Sequence, residues 1–172
     1  PITPSAHLAL AGAQIILNPS ASNETVGKSD YRRNLVAVQS AKSMCGYVYA
    51  SAGTSESTTD LVFSGHQMIA ENGVILAENE RFERESTMTI TEIDFARLRY
   101  ERSHGHNMAE CSLAYSDRSA FTFVPLKTAR TIQKDDCLVR RYERNPFVPS
   151  DPRATDRSCS EIFRIQTAGY SR

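Results

Sequence analysis

Hydrophobic and polar positions follow two rhythms along the first hundred residues, one helical and one strand-like. Ser5–Gly12 (SAHLALAG) predicts a short helix that opens at Pro4 or Ser5 and stops at Gly12. Ala13–Leu17 (AQIIL) is an apolar run with adjacent β-branched residues. It predicts a strand buried on both faces and ended by the turn signal Asn18-Pro19. Ser20–Gly27 is polar and turn-like. Ser29–Met44 predicts a helix whose apolar stripe is Tyr31, Leu35, Val38 and Ala41, with Arg32, Arg33 and Lys42 largely off it. Ser29 is the expected N-cap, Asp30 suits the positive first turn, and Gly46 is the expected C-cap glycine.

Tyr47–Ser51 predicts the next strand. A polar loop, Ala52–Asp60, leads into Leu61-Val62-Phe63. Gln67–Glu71 and Val74–Glu78 flank Asn72-Gly73, a strong hairpin signal. Thr87–Asp94 alternates polar and apolar, which predicts a half-buried strand, and Phe95–Arg102 predicts a helix. Beyond His104 the rhythm weakens. Phe121–Leu126 reads as an edge strand because of Pro125, Asn145–Arg153 as a proline-rich linker, and Ser158–Thr167 as a helix. Alternating strands and helices favour an α/β layered architecture.

Composition narrows the classes. The 172 residues suffice for one core and not for two full domains. Basic and acidic residues balance at 20 each, which argues against a nucleic-acid or anionic-membrane partner. No run of 18 apolar residues exists, so no transmembrane helix is expected. Cys45, Cys111, Cys137 and Cys159 form no C-x-x-C pair and have no histidine at zinc-ligand spacing, so no metal site is expected. Four reduced thiols in a cytoplasmic protein are the plain reading. The chain opens on Pro1 with no signal peptide, which raises the expectation that it is a piece of a longer protein.

Candidate chemistry is sparse. His66, His104 and His106 are the candidate bases, though each reads more readily as a surface or hydrogen-bonded structural histidine. Cys45, beside Met44 at a helix end, reads as a buried, inert thiol rather than a nucleophile. Two polar loops stand out because loops at the carboxyl ends of buried strands hold ligands in α/β folds. In the first, Ser20–Lys28, Ser22 and Glu24 can hydrogen-bond a polar ligand, and Lys28 with the following helix N-terminus favours a carboxylate. The second is Ser55–Asp60.

The wording of several segments carries more than their spacing. LALAGAQIILNPSASNETVGK, YRRNLVAVQSAKSMCGYVYASAG, ESTTDLVFSGHQMIAENG and ILAENERF closely resemble the amidase domain of the glutamine-dependent NAD synthetases, a branch of the nitrilase or carbon–nitrogen hydrolase superfamily. The resemblance covers residues 1 to about 102, is looser over 103–144, and resumes at NPFVPSDPR and CSEIFRIQTAG. It implies a four-layer αββα sandwich, of which this chain is the C-terminal portion. Residues 1–144 would be the partial glutaminase domain, and 145–172 a linker and first helix leading to a synthetase domain.

The chemistry implied is attack of a cysteine thiolate on the glutamine side-chain amide, with a glutamate base and a lysine. The released ammonia would serve the amidation of deamido-NAD. All three catalytic residues are expected upstream of Pro1, so the chain by itself is expected to be inactive. The resemblance assigns glutamine binding to Ser22 and Lys28, and Glu56 as a weaker candidate near the same site. Lys28 stands where the family can have arginine, which keeps the charge and loses a bidentate fork. No cofactor is expected for this domain; ATP, Mg and deamido-NAD belong to the synthetase domain. A homo-oligomer is expected. The alternatives are a free-standing amidase of the same superfamily and a non-catalytic assembly module.

Overall fold

A computed structural model of the chain describes residues 3–115, 120–126, 138–140, 142, 148 and 151–170. It divides into two compact units, Pro1–Asp136 and Cys137–Arg172.

The first unit is built on a four-stranded sheet in the order β1-β2-β3-β4. The chain runs α1 (Pro4–Leu10), β1 (Ile15–Ser20), α2 (Lys28–Ser43), β2 (Gly46–Ser51), β3 (Gln67–Glu71), β4 (Val74–Glu78), α3 (Phe95–His104) and α4 (His106–Tyr115). β1 and β2 are parallel and joined through α2; β2, β3 and β4 are antiparallel neighbours. In the register Ile16, Tyr47 and Ala70 stand side by side, and so do Tyr49 and Met68. With Val36 of α2 and Cys45 these residues form the core, and the mixed α/β class expected from the sequence holds.

Several elements differ from their predicted forms. β1 passes through Asn18-Pro19 instead of stopping there, and Pro19 is tolerated because β1 is an edge of this sheet. The strand is not buried on both faces, since Leu17 is 71% exposed. α2 starts at Lys28 behind Gly27, whose φ of 79° only glycine adopts freely, so Ser29 lies inside the helix and is not its N-cap. The helix ends with Met44 in the left-handed region, where Gly46 was expected to serve. Gly46 instead opens β2, and a Cβ there would lie 2.6 Å from Ile93 Cδ1. Close approach of the 87–94 segment, not a helix cap, requires that glycine.

The predicted apolar stripe of α2 does not face the core. Tyr31, Leu35 and Val38 are exposed, whereas Arg32, Val36, Ser40 and Ser43 are buried. Small residues bring the helix close to the hairpin. A Cβ on Gly73 would lie 3.1 Å from Ala41 Cβ, and Ser40 Oγ donates to the Cys45 carbonyl. The hairpin itself forms as predicted, with Asn72 and Gly73 both at positive φ.

Thr87–Asp94 is not a strand. It lies extended along β3 and is held by side chains rather than a ladder: Gln67 Nε2 donates to the Thr87 carbonyl, and the Asp94 N–H donates to Glu71 Oε2. The 121–126 run also forms no strand, and residues 122–126 are exposed. α3 forms as predicted and extends to His104, while α4 carries no clear apolar period and was not foreseen.

In the second unit α5 (Pro152–Tyr170) begins before the predicted Ser158, because Asp151 caps it through the Ala154 N–H and Pro152 fits the first turn. Most of the predicted 145–153 linker lies outside the described residues. Among the described residues, no helix is long and apolar enough to cross a membrane.

Candidate functional site

A cavity of about 550 Å³ runs along β1 between α1 and the N-terminal half of α2. Its apolar wall includes Leu8, Ile16, Leu17, Tyr31, Leu35 and Val36. Thus Tyr31 and Leu35 of the predicted stripe line a groove instead of a core. Its polar end lies where β1 gives way to the 21–27 loop, and there Ser22, Lys28 and Arg32 reach the lining. Ligand sites beyond the carboxyl ends of strands are the rule in α/β sheets.

Two of the three sequence-derived site residues therefore share this groove. Lys28 Nζ donates to Asn23 Oδ1 at 2.6 Å, which folds the loop back on the helix start. Ser22 Oγ accepts from Arg32 Nη2 at 3.3 Å. Glu56 does not line the groove. Its exposed carboxylate accepts the Gly53 N–H at 3.3 Å and so closes a short 3-10 turn, Thr54–Glu56.

Behind the loop an ionic chain joins Glu24 and His66, both singled out in the sequence, to Arg32 and Glu78, which were not. Arg32, 5% exposed, puts Nη1 2.6 Å from Glu24 Oε1, and the Glu24 side chain is 6% exposed. Ser64 Oγ donates to the same oxygen at 2.5 Å, and Arg81 Nη1 reaches Glu24 Oε2 at 3.3 Å. Arg32 Nη1 also lies 3.0 Å from His66 Nδ1. A guanidinium can only donate, so Nδ1 accepts and the ring proton sits on Nε2, which donates to Glu78 Oε1 at 2.8 Å. Arg33 Nε binds the other Glu78 oxygen at 2.9 Å.

Burial alone would raise the Glu24 carboxyl. The hydrogen bonds from Ser64 and Arg32, with the charges of Arg32 and Arg81, outweigh burial and hold it below the ordinary carboxylate value. Glu78 behaves alike: burial opposes ionisation, and the hydrogen bonds from Arg33 and His66, with the charge of Arg33, prevail. Two groove-lining residues keep a buried polar atom without a partner among the described residues, Arg32 Nε and Tyr49 Oη. Such orphans are uncommon in folded proteins.

The remaining candidates do not join this site. Cys45 is fully buried, and desolvation pushes its thiol up to about 11 despite the Arg102 charge. At neutral pH it is an inert thiol, as read from the sequence. His104 stacks on Tyr100 at the end of α3, with ring centroids 3.9 Å apart. Cys111 and Cys159 are exposed and unbridged. Among the described residues no group of histidine, cysteine and acidic side chains could hold a metal ion.

The missed residues left only a faint trace in the sequence. Periodicity assigns an arginine off the apolar stripe to solvent. The informative sign was a crowd of cations, Lys28, Arg32 and Arg33, at the positive end of a helix dipole, where only a ligand or a buried acid would hold them.

The chain is similar to several known proteins. The glutamine-dependent NAD(+) synthetase of Mycobacterium tuberculosis (strain ATCC 25618 / H37Rv) is 39% identical over 170 residues, covering 98% of this chain and 25% of that protein. The protein of the same name from Homo sapiens is 29% identical over 138 residues, 78% of this chain and 19% of that one. A crystal structure of a glutamine-dependent NAD(+) synthetase from Cytophaga hutchinsonii matches 48% of this chain and 14% of its own, at 33% identity and a TM-score of 0.40. The chain thus spans about a quarter of the length of the mycobacterial relatives it matches. The family model for carbon–nitrogen hydrolases matches residues 3–102, the stretch that holds the sheet, α2 and the groove, and the chain belongs to that family.

Proposed function

We propose that this chain is part of a glutamine-dependent NAD synthetase and contributes the glutamine-binding loop of its glutaminase. The observation that carries the reading is the placement of Ser22 and Lys28 on one groove within a carbon–nitrogen hydrolase chain. Lys28 and the N-terminus of α2 offer positive charge to the glutamine carboxylate, and Ser22 offers a hydroxyl to the same amino-acid end. The apolar wall opposite suits the methylenes of the side chain. Glu56 lies outside the groove, on the neighbouring loop.

In this reading the nucleophilic cysteine, the glutamate base and the lysine are supplied by sequence outside these 172 residues. Ammonia released from the glutamine amide then feeds an ATP-dependent amidation of deamido-NAD in a synthetase domain of the same protein. That domain, and not this one, would bind ATP and Mg. The protein is proposed to be cytoplasmic and to assemble as a homo-oligomer.

The test uses two preparations. The full-length protein should release glutamate from glutamine and make NAD from deamido-NAD, ATP and glutamine. The 172-residue chain alone should release none. Glutamate release by the purified short chain would overturn the assignment of catalysis to residues outside it. A full-length protein that amidates deamido-NAD with ammonia but not with glutamine would overturn the glutaminase reading.

A further inference from the structure

We propose that Arg32 and His66 are positioning residues that hold the Ser22–Lys28 loop in its glutamine-binding form. The inference rests on the reading of that loop as the glutamine site. Residues 21–25 have no regular structure, and their backbone is tied to the neighbouring loop through the Glu24 N–H, which donates to the Val62 carbonyl. The loop's shape must therefore come mainly from side chains.

One planar group supplies most of it. Arg32 Nη2 donates to Ser22 Oγ at 3.3 Å and to the Ser22 and Asn23 carbonyls at 3.5 Å each, while Nη1 donates to Glu24. Three consecutive loop residues are thus fixed by a single guanidinium. Asn23 in turn receives Lys28 Nζ, so the same anchor sets where the ammonium sits. Helix energetics do not favour this arginine, because a cation near a helix N-terminus opposes the dipole.

His66 keeps the fork from rotating. Among the described residues its Nδ1 is the one acceptor outside the loop that meets Nη1, and Glu78, itself bound by Arg33, fixes the tautomer that makes Nδ1 an acceptor. A lysine at position 32 could not replace the fork, because a point charge cannot hold Ser22, Asn23 and Glu24 at once. An asparagine at position 66 could place a carbonyl oxygen near the Nδ1 position; a leucine could not.

The experiment compares the unsubstituted full-length protein with Arg32→Lys, His66→Leu and His66→Asn, by glutamine kinetics and by amide hydrogen exchange. Arg32→Lys and His66→Leu should each raise the glutamine KM about tenfold with kcat changed less than about threefold, and His66→Asn should restore KM to within about threefold. Exchange over residues 22–28 should quicken in the first two variants and not in the third, with β2 unchanged as the control for global folding. Unchanged loop exchange in Arg32→Lys and His66→Leu overturns the positioning role, as does a fall in kcat at constant KM, the mark of a smaller folded fraction. A loosened loop with an unchanged glutamine KM instead overturns the glutamine reading and leaves the anchor standing.

Discussion

Two arginines sit at opposite ends of α2 and do different work. Arg102 lies at the C-terminal end and donates only to backbone carbonyls, those of Met44 at 2.9 Å, Ala13 at 2.6 Å and Ser43 at 3.0 Å. It meets the negative end of the helix dipole and satisfies carbonyls that a helix end leaves open. Arg32 lies at the N-terminal end, against the dipole, and is held there by Glu24 and a neutral histidine face. The first arrangement is what stability asks for. The second makes sense only through the loop it grips and the groove that loop borders. Hydrogen bonding alone would rank the two arginines together; the sign of the local field sets them apart.

The largest expected effect breaks the N-terminal end outright. Glu24→Ala leaves Arg32 buried without its carboxylate and should cost about 3 kcal/mol of stability, measured by denaturant titration of the full-length protein. Equal stability of variant and parent would mean that the pair is far wetter than its 6% exposure implies.

Next comes the structural end. Arg102→Met removes three charge-assisted bonds to carbonyls and should cost about 2 kcal/mol in the same assay, while the glutamine KM stays within about twofold. A large rise in KM there would erase the distinction between the two ends.

Acid should act on the N-terminal end selectively. Glu24 and Glu78 both have depressed carboxyl values in the fold. Their contribution to stability is complete above the ordinary carboxylate value of 4.5 and is lost as pH falls through the depressed folded values. Glu78→Gln should therefore flatten the acid unfolding curve followed by circular dichroism, and an unaltered curve would remove Glu78 from the ionic chain.

Much of this contrast was hidden from the sequence for physical reasons. The strands, the hairpin and the existence of α2 follow from local periodicity, because Tyr47–Ser51 and Asn72-Gly73 carry their own instructions. The face that α2 buries does not. Tyr31, Leu35 and Val38 form a convincing stripe, yet the helix turns Val36, Ser40 and Ser43 inward, since small residues permit closer approach to Gly73 than a bulky stripe would. In place of the strand expected at 87–94, side chains of Gln67 and Glu71 bond the backbone of the segment where a ladder would have. Family resemblance singled out Ser22 and Lys28, but not the groove they share, because that depends on Leu8, Leu17 and Leu35 meeting across three elements. The Arg32–His66 contact spans 34 positions and leaves no local pattern at all.

The most direct test of the central claim is the glutamine KM of full-length Lys28→Ala, measured beside its ammonia-driven NAD synthesis. Loss of one ionic contact to the substrate carboxylate should raise KM about tenfold, equivalent to about 1.4 kcal/mol, with ammonia-driven synthesis nearly unchanged. An unchanged KM, or an equal loss of both activities, would contradict the assignment of the Ser22–Lys28 loop to glutamine.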